Sequence, residues 1–213
     1  MKPGPDESDR RSMRLERYDY SSAGAYFVTI CTQGRRCLFG DIVDDRVRLS
    51  HAGKMIQTVW ECLPNRFPFV KPDEFVVMPN HLHGIIILTN VGGRGESRIR
   101  PFARRGEHKV RPYGTFAGTV GRIIQALKST TTHQYIAGVK GGRWVPFSGK
   151  LWQRNYHEHI VRNEEELKKI RRYIVENPAR WAFDRENPYA VRTGGQPPAP
   201  TDAIERIFGG VRP

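Results

Sequence analysis

The sequence predicts an α+β fold, a mostly antiparallel central sheet with helices packed on it. Three observations carry this reading. EFVVM (74–78), a Pro79-Asn80 turn and HLHGIIILT (81–89) read as a hairpin, so at least part of the sheet is antiparallel. Other segments repeat apolar residues at helical spacing. The order is strand, strand, helix, hairpin, helix, helix, with no internal repeat.

Each element has a local reason. AYFVTICTQ (25–33) is rich in β-branched and aromatic residues and predicts the first strand; RVRLS (46–50) alternates and predicts a short one. KMIQTVWECL (54–63) places Met55, Ile56, Val59, Trp60 and Leu63 at helical spacing, and Pro64 is expected to stop it. TFAGTVGRIIQALKSTTTHQYI (115–136) predicts a helix through Val120, Ile123, Ile124 and Leu127, weakened at its β-branched end. NEEELKKIRRYIVEN (163–177) is the clearest helix: Asn163 is an N-cap residue, glutamates fill the first turn, and cations follow. Glu164 with Lys168 and Glu165 with Lys169 are spaced for i,i+4 pairs, and Leu167, Ile170 and Ile174 form the buried stripe. Pro178 is expected to end it.

The chain divides into a polar arm (1–22), one domain (23–190) and a Pro/Gly-rich tail (191–213). Within the domain, residues 91–114 form a basic insertion with seven Lys or Arg against two Glu, and five Gly. A long loop of this composition suits either a contact to a phosphate backbone or a tolerated surface insertion. Over the whole chain 35 Lys and Arg face 22 Asp and Glu, a formal charge of +13. That surplus points to a polyanion, most simply nucleic acid. No apolar run spans a membrane and the N-terminus has no signal-peptide pattern, so a soluble cytoplasmic protein is expected. Cys31, Cys37 and Cys62 form no Cys-x-x-Cys pair, which favours free thiols over a cysteine metal site.

His81 and His83 carry the first chemical signal. Strand residues i and i+2 share a face, so both imidazoles project to one side, close enough to share a metal ion. Apolar residues on both faces beyond them suggest a central, stiff strand. Taken alone the motif is better served by core histidines with hydrogen-bond partners, and a catalytic ion needs about three protein ligands. Tyr173 and Asn177 stand four apart on the last helix; one offers a phenol, the other a carbonyl oxygen suited to a hard cation. Asn177 precedes proline, which should push it out of helical geometry. Tyr173 beside Ile170 and Ile174 also reads simply as an amphipathic-helix tyrosine.

Four blocks in this order, AYFVTICTQGRRCLFG, VVMPNHLHGIIIL, LWQRNYHEHIVRNEEE and YIVENPARW, resemble the REP-associated tyrosine transposases. These are relatives of the single-strand insertion-sequence transposases in the HUH endonuclease group. The resemblance runs over roughly residues 14–185 and implies a ferredoxin-like fold. It makes His81-Leu82-His83 the histidine triplet on a sheet strand, Tyr173 the nucleophile, and Asn177 the polar third metal ligand. Tyr156, with His159 three residues on, is a rival tyrosine outside the family's nucleophile position; both read as supporting or DNA-facing, with Trp152 and Gln153. Arg35, Arg36, Arg122 and Lys128 are candidate phosphate contacts, each also readable as a solvated charge. In the arm, Arg14 with Arg10, Arg11 and Arg17 is a further DNA-binding candidate.

The function so implied is a bacterial transposase acting on single-stranded DNA beside a hairpin, such as a repetitive extragenic palindrome. Tyr173 would attack the scissile phosphate and leave a 5′-phosphotyrosine and a free 3′-hydroxyl. Mg²⁺ or Mn²⁺ suits the oxygen and imidazole donors. Monomer and homodimer both accommodate this. Two other classes stay open: a nucleic-acid-binding protein without catalysis, and a metal-dependent nuclease that activates water.

Overall fold

The computed structural model describes residues 21–89 and 118–190. Most of the polar arm with Arg14, the 91–114 insertion and the 191–213 tail lie outside these residues. The described elements are β1 (Gly24–Cys31), β2 (Gly40–Val43), β3 (Arg46–Leu49), α1 (His51–Glu61), α2 (Leu63–Arg66), β4 (Val70–Val77), β5 (His81–Leu88), α3 (Val120–Lys140), β6 (His157–Val161) and α4 (Glu164–Glu176). One 3₁₀ turn follows β1 (Gln33–Arg35) and another follows α4 (Pro178–Phe183).

The α+β expectation holds. The main sheet has the order β4-β5-β1-β6, with every neighbouring pair antiparallel. β1-α1-β4 and β5-α3-β6 are therefore two split β-α-β units, each enclosing a strand of the other, which is the ferredoxin-like arrangement. β2 and β3 form a separate ribbon.

Strand alternation gives the sheet two different faces. One face presents Tyr26, Val28, Ile30, Leu82 and Ile86 to α1 and α3, in a core with Ile56, Trp60, Ile123 and Leu127. Trp60 lies flat enough on β5 that only a glycine fits beneath it: a Cβ at Gly84 would run into its ring. The other face presents Phe27 and Ile85 to Leu167, Ile170 and Ile174 of α4. Each of these α4 side chains, fully buried, contributes about 1.5–3 kcal/mol. A bidentate pair from Arg171 to Asp73 (2.9 and 2.6 Å) ties the helix to β4, beside the register shift between Pro72 and Phe75.

Several expectations are corrected. α1 begins three residues earlier than predicted, because Ser50 caps it by accepting from Gly53 N. α1 ends before Pro64, as expected, but Pro64 itself sits in the first turn of a further short helix, α2, where its missing N–H costs nothing. α3 runs on to Lys140 despite its threonines. Thr131 returns its hydroxyl to Leu127 O (2.8 Å) and accepts from Trp152 Nε1 (2.9 Å), so tertiary contacts override local propensity. β2 and β6 were not expected. In α4, Asn163 caps as predicted, but Lys168 pairs with Glu165 and Glu164 lies nearest Arg171 rather than in i,i+4 pairs. α4 ends at Glu176, ahead of Pro178 as expected, but Asn177 keeps helical geometry (φ −59°, ψ −41°), because Pro178 opens a 3₁₀ turn. No described helix is long and apolar enough to cross a membrane.

Candidate active site

His81 and His83 open β5 directly after the Pro79-Asn80 turn, on the face that α4 covers. Their ladder partners on β1 are Cys31 and Thr29. Both imidazoles are buried, and their Nε2 atoms stand 3.0 Å apart. Each ring is held from behind through Nδ1: His83 by Thr29 Oγ1 (2.8 Å) and His81 by Asn80 Oδ1 (2.8 Å).

The Asn80 contact assigns a tautomer. Its Nδ2 donates to the carbonyls of Arg35 (3.0 Å) and Glu186 (2.5 Å), so Oδ1 must face His81 as an acceptor. His81 Nδ1 therefore carries the proton, and its Nε2 presents a lone pair into the site. Burial also keeps the pair uncharged. It lowers the His81 pKa to about 3 and holds His83 well below the ordinary range, with His81 lowering it further.

α4 delivers Tyr173 to the same place. Its ring packs edge-on against Phe27 and His83, and its hydroxyl lies 3.4 Å from His83 Nε2. Burial raises the phenol pKa above its ordinary value, and Asp184 adds to the rise; Asn177, one turn on, opposes it. Asn177 is itself buried, and its Oδ1 has no hydrogen-bond partner among the described residues. The 3₁₀ turn then folds the chain back, with Trp181 tilted beside His81 (ring centroids 6.0 Å apart). This brings Asp184 Oδ2 to 3.8 Å from His81 Nε2. Burial raises the Asp184 pKa, opposed by His83.

These groups suit a divalent cation. His81, His83 and Asp184 each offer one donor atom, and the three lie within 4.8 Å of one another. Two donors at right angles around an ion with bonds of about 2.1 Å stand about 3 Å apart, which is the imidazole separation seen. The unpartnered Asn177 oxygen is a further neutral donor beside them. Two imidazoles with oxygen donors is a set that Mn²⁺ accepts readily.

Asp184 and Asn80 were missed by sequence reasoning. Asn80 was visible only as a turn residue. Asp184 carries no motif; it depends on a turn that no periodicity announces. His157 was also overlooked, although His157-Glu158-His159 repeats the His-x-His pattern. It stands opposite Thr29, one strand from the site, with a buried Nδ1 that has no hydrogen-bond partner among the described residues. Burial lowers its pKa.

The predicted DNA-facing residues fall into several environments. Trp152 is a correction: it is buried in the core, stacked near Phe39 and bonded to Thr131, not open to a DNA strand. Lys128 is another. Its ammonium donates to the carbonyls of Gln153 (2.9 Å) and Asn155 (3.0 Å) and sits 5.4 Å from the Tyr156 ring centre, where it holds the loop before β6. Gln153 ties the same loop to Thr32 O, and Tyr156 donates to Glu158. His159 is bonded to Glu166 in the first turn of α4 (2.9 Å), a supporting contact. Arg35 pairs with Glu186 (3.1 Å) near the site, Arg36 donates to Pro146 O, and Arg122 donates to Gln125.

No family model matches the chain. An uncharacterized Haemophilus influenzae protein is 39% identical over 180 residues, covering 83% of this chain and 92% of its own. Among solved structures, a REP-associated tyrosine transposase bound to a REP hairpin is 20% identical, with a TM-score of 0.48, over 79% of this chain and 74% of that one.

Proposed function

We propose that this chain, which belongs to one family with the Haemophilus influenzae protein, is a single-strand DNA transposase of the tyrosine, HUH type that its sequence blocks resemble. One observation carries the reading. Two neutral imidazoles and a tyrosine hydroxyl, 90 residues apart in sequence, meet within 3.4 Å of His83 Nε2. A structural histidine pair would not need a phenol aimed at it from another element.

In this reading His81, His83 and Asp184 hold the ion, with Asn177 as an additional oxygen donor. A bound Mg²⁺ or Mn²⁺ supplies positive charge that polarises the scissile phosphate and favours the phenolate. Asn80 and Thr29 keep the imidazoles in donor orientation. Packing of α4 holds the Tyr173 ring so that its hydroxyl faces the reacting phosphorus. Tyr173 Oη forms the bond to phosphorus while the bond to the 3′ oxygen breaks. The phenol loses one proton and the departing 3′-hydroxyl gains one. The phosphodiester is conserved as a 5′-phosphotyrosine, so a 3′-hydroxyl can reverse the step and join strands without ATP. The substrate is single-stranded DNA beside a hairpin, consistent with the chain's surplus of positive charge.

The test is incubation of the protein with hairpin-bearing single-stranded oligonucleotides and Mn²⁺, read as a covalent adduct on a denaturing gel. The expected adduct disappears under EDTA, in Tyr173→Phe and in His81→Ala. Cleavage that persists in Tyr173→Phe but not in His81→Ala would replace this reading with a water-activating nuclease. Salt-sensitive binding with no cleavage in any metal would replace it with a binding protein.

A further inference from the structure

Between the segment after β1, the start of α1 and the end of α3 lies a cavity of about 410 Å³ that the mechanism does not use. It is lined by Arg36, Cys37, Ser50, His51, Tyr135, Arg143, Trp144 and Tyr189 among others, with no Asp or Glu among its described lining residues. Its size falls within the range of small-ligand sites.

The floor is rigid. Tyr135 is buried, donates its hydroxyl to Val145 O (2.9 Å), and packs against Trp144 with ring centroids 5.1 Å apart. Trp144 in turn lies directly on Gly138, where a Cβ would collide with its ring. The rim is different. Tyr189 is 84% exposed, an unusual setting for so large a ring. The turn beneath it is nevertheless fixed: Asn187 Oδ1 accepts from Tyr189 N (2.9 Å), and Asn187 Nδ2 donates to Trp181 O (2.9 Å). Arg36 uses one Nη on Pro146 O (3.0 Å), which orients the rest of its guanidinium. Arg143 is exposed on the opposite loop.

We infer that this cleft binds an unpaired nucleotide of the DNA strand next to the catalytic cluster, with Tyr189 as the stacking face and Arg36 and Arg143 as phosphate contacts. Aromatic faces interleaved with arginines and free of carboxylates are what single strands select, because every base has a π-face and every linkage a charge. A paired base cannot offer its face without leaving the duplex. No site residue lines the cleft, but two chain segments run from one to the other. Arg35 and Glu186, whose carbonyls hold Asn80, lie one residue from Arg36 and three from Tyr189. The inference rests on the proposed DNA substrate but not on the covalent step.

The test uses the full chain and a labelled oligothymidylate of about 12 nucleotides, set against a duplex of equal length. Stacking predicts that Tyr189→Ala weakens single-strand binding about tenfold and leaves duplex binding unchanged. Arg143→Gln should lower the salt slope by about one. Oligothymidylate should also protect Cys37, in the cleft wall, from maleimide, while Cys62, at the other end of α1 in a different cavity, reacts as before. Equal losses on both ligands, no loss on either, no binding at all, or an unprotected Cys37 would each overturn the cleft. Loss of the Mn²⁺-dependent adduct reading with these effects intact would leave the cleft standing, and an adduct formed without them would leave only the transposase.

Discussion

The two faces of the sheet are built from the same strands and behave as different materials. Toward α1 and α3, β1 and β5 present only apolar side chains, and Trp60 closes over Gly84 with no spare volume. Toward α4, the same strands present Phe27 and Ile85 at one end and Thr29, His81 and His83 at the other. Strand alternation separates the two sets by a single residue. The lesson is that a buried polar cluster needs no separate scaffold. It can sit on the reverse of a dense apolar face, which holds the backbone while the polar face remains free for chemistry.

If that division is real, substitutions on the two faces should fail in different ways. The largest effect is on chemistry. Tyr173→Phe should cut adduct formation by more than about a thousandfold while the melting temperature stays within a few degrees, since Phe keeps the ring packing on Phe27. Unfolding of this variant would break the comparison. On the opposite face, Gly84→Ala should cost about 1–3 kcal/mol in urea unfolding, because the added methyl meets the Trp60 ring in a closed core. A neutral result would show that the packing there can relax.

The next effect is on pH dependence and belongs to the polar face. Burial depresses the pKa of His81, His83, His157 and His159. Below the ordinary histidine pKa of about 6.5 the unfolded chain therefore binds more protons than the folded one, and stability falls as pH drops. For His81 the loss extends from that value down to about 3. Each such histidine adds a slope of up to about 1.4 kcal/mol per pH unit. The raised pKa of Asp184 works in the opposite direction, favouring the folded state at low pH. Urea titrations at pH 7 and pH 5 in EDTA should show a clear decrease, and a flat profile would mean that the pair is not held neutral by burial. The smallest effect is local. Asn163→Ala removes the cap of the helix that carries Tyr173 and should cost about 1 kcal/mol, with the adduct still formed.

Much of this was legible residue by residue. The alternation in HLHGIII put both histidines on one side, and the cap and stripe of α4 announced the helix that bears Tyr173. The proline rules placed both helix ends, since α1 stops at Glu61 and α4 at Glu176, but misled about Asn177, which stays helical because Pro178 opens a 3₁₀ turn. β6 escaped notice since HEHIV lacks a strong apolar alternation, and its pairing with β1 supplies what its composition does not. Of the two roles open to Trp152, supporting or DNA-facing, its burial and its bond to Thr131 select the first, and Lys128 spends its ammonium on the Gln153 and Asn155 carbonyls.

The sequence by itself determined what depends on neighbours along the chain: the helices and most strands, the shared face of His81 and His83, the surplus of positive charge, and the blocks that carry the resemblance. The tertiary structure alone decided what depends on distance in space. It set the strand order, the approach of Tyr173 to His83, the arrival of Asp184 beside His81, and the tautomer that Asn80 imposes. Periodicity reports which way a side chain points from its own backbone. Only the packing of α4 and the turn after it reports what that side chain meets.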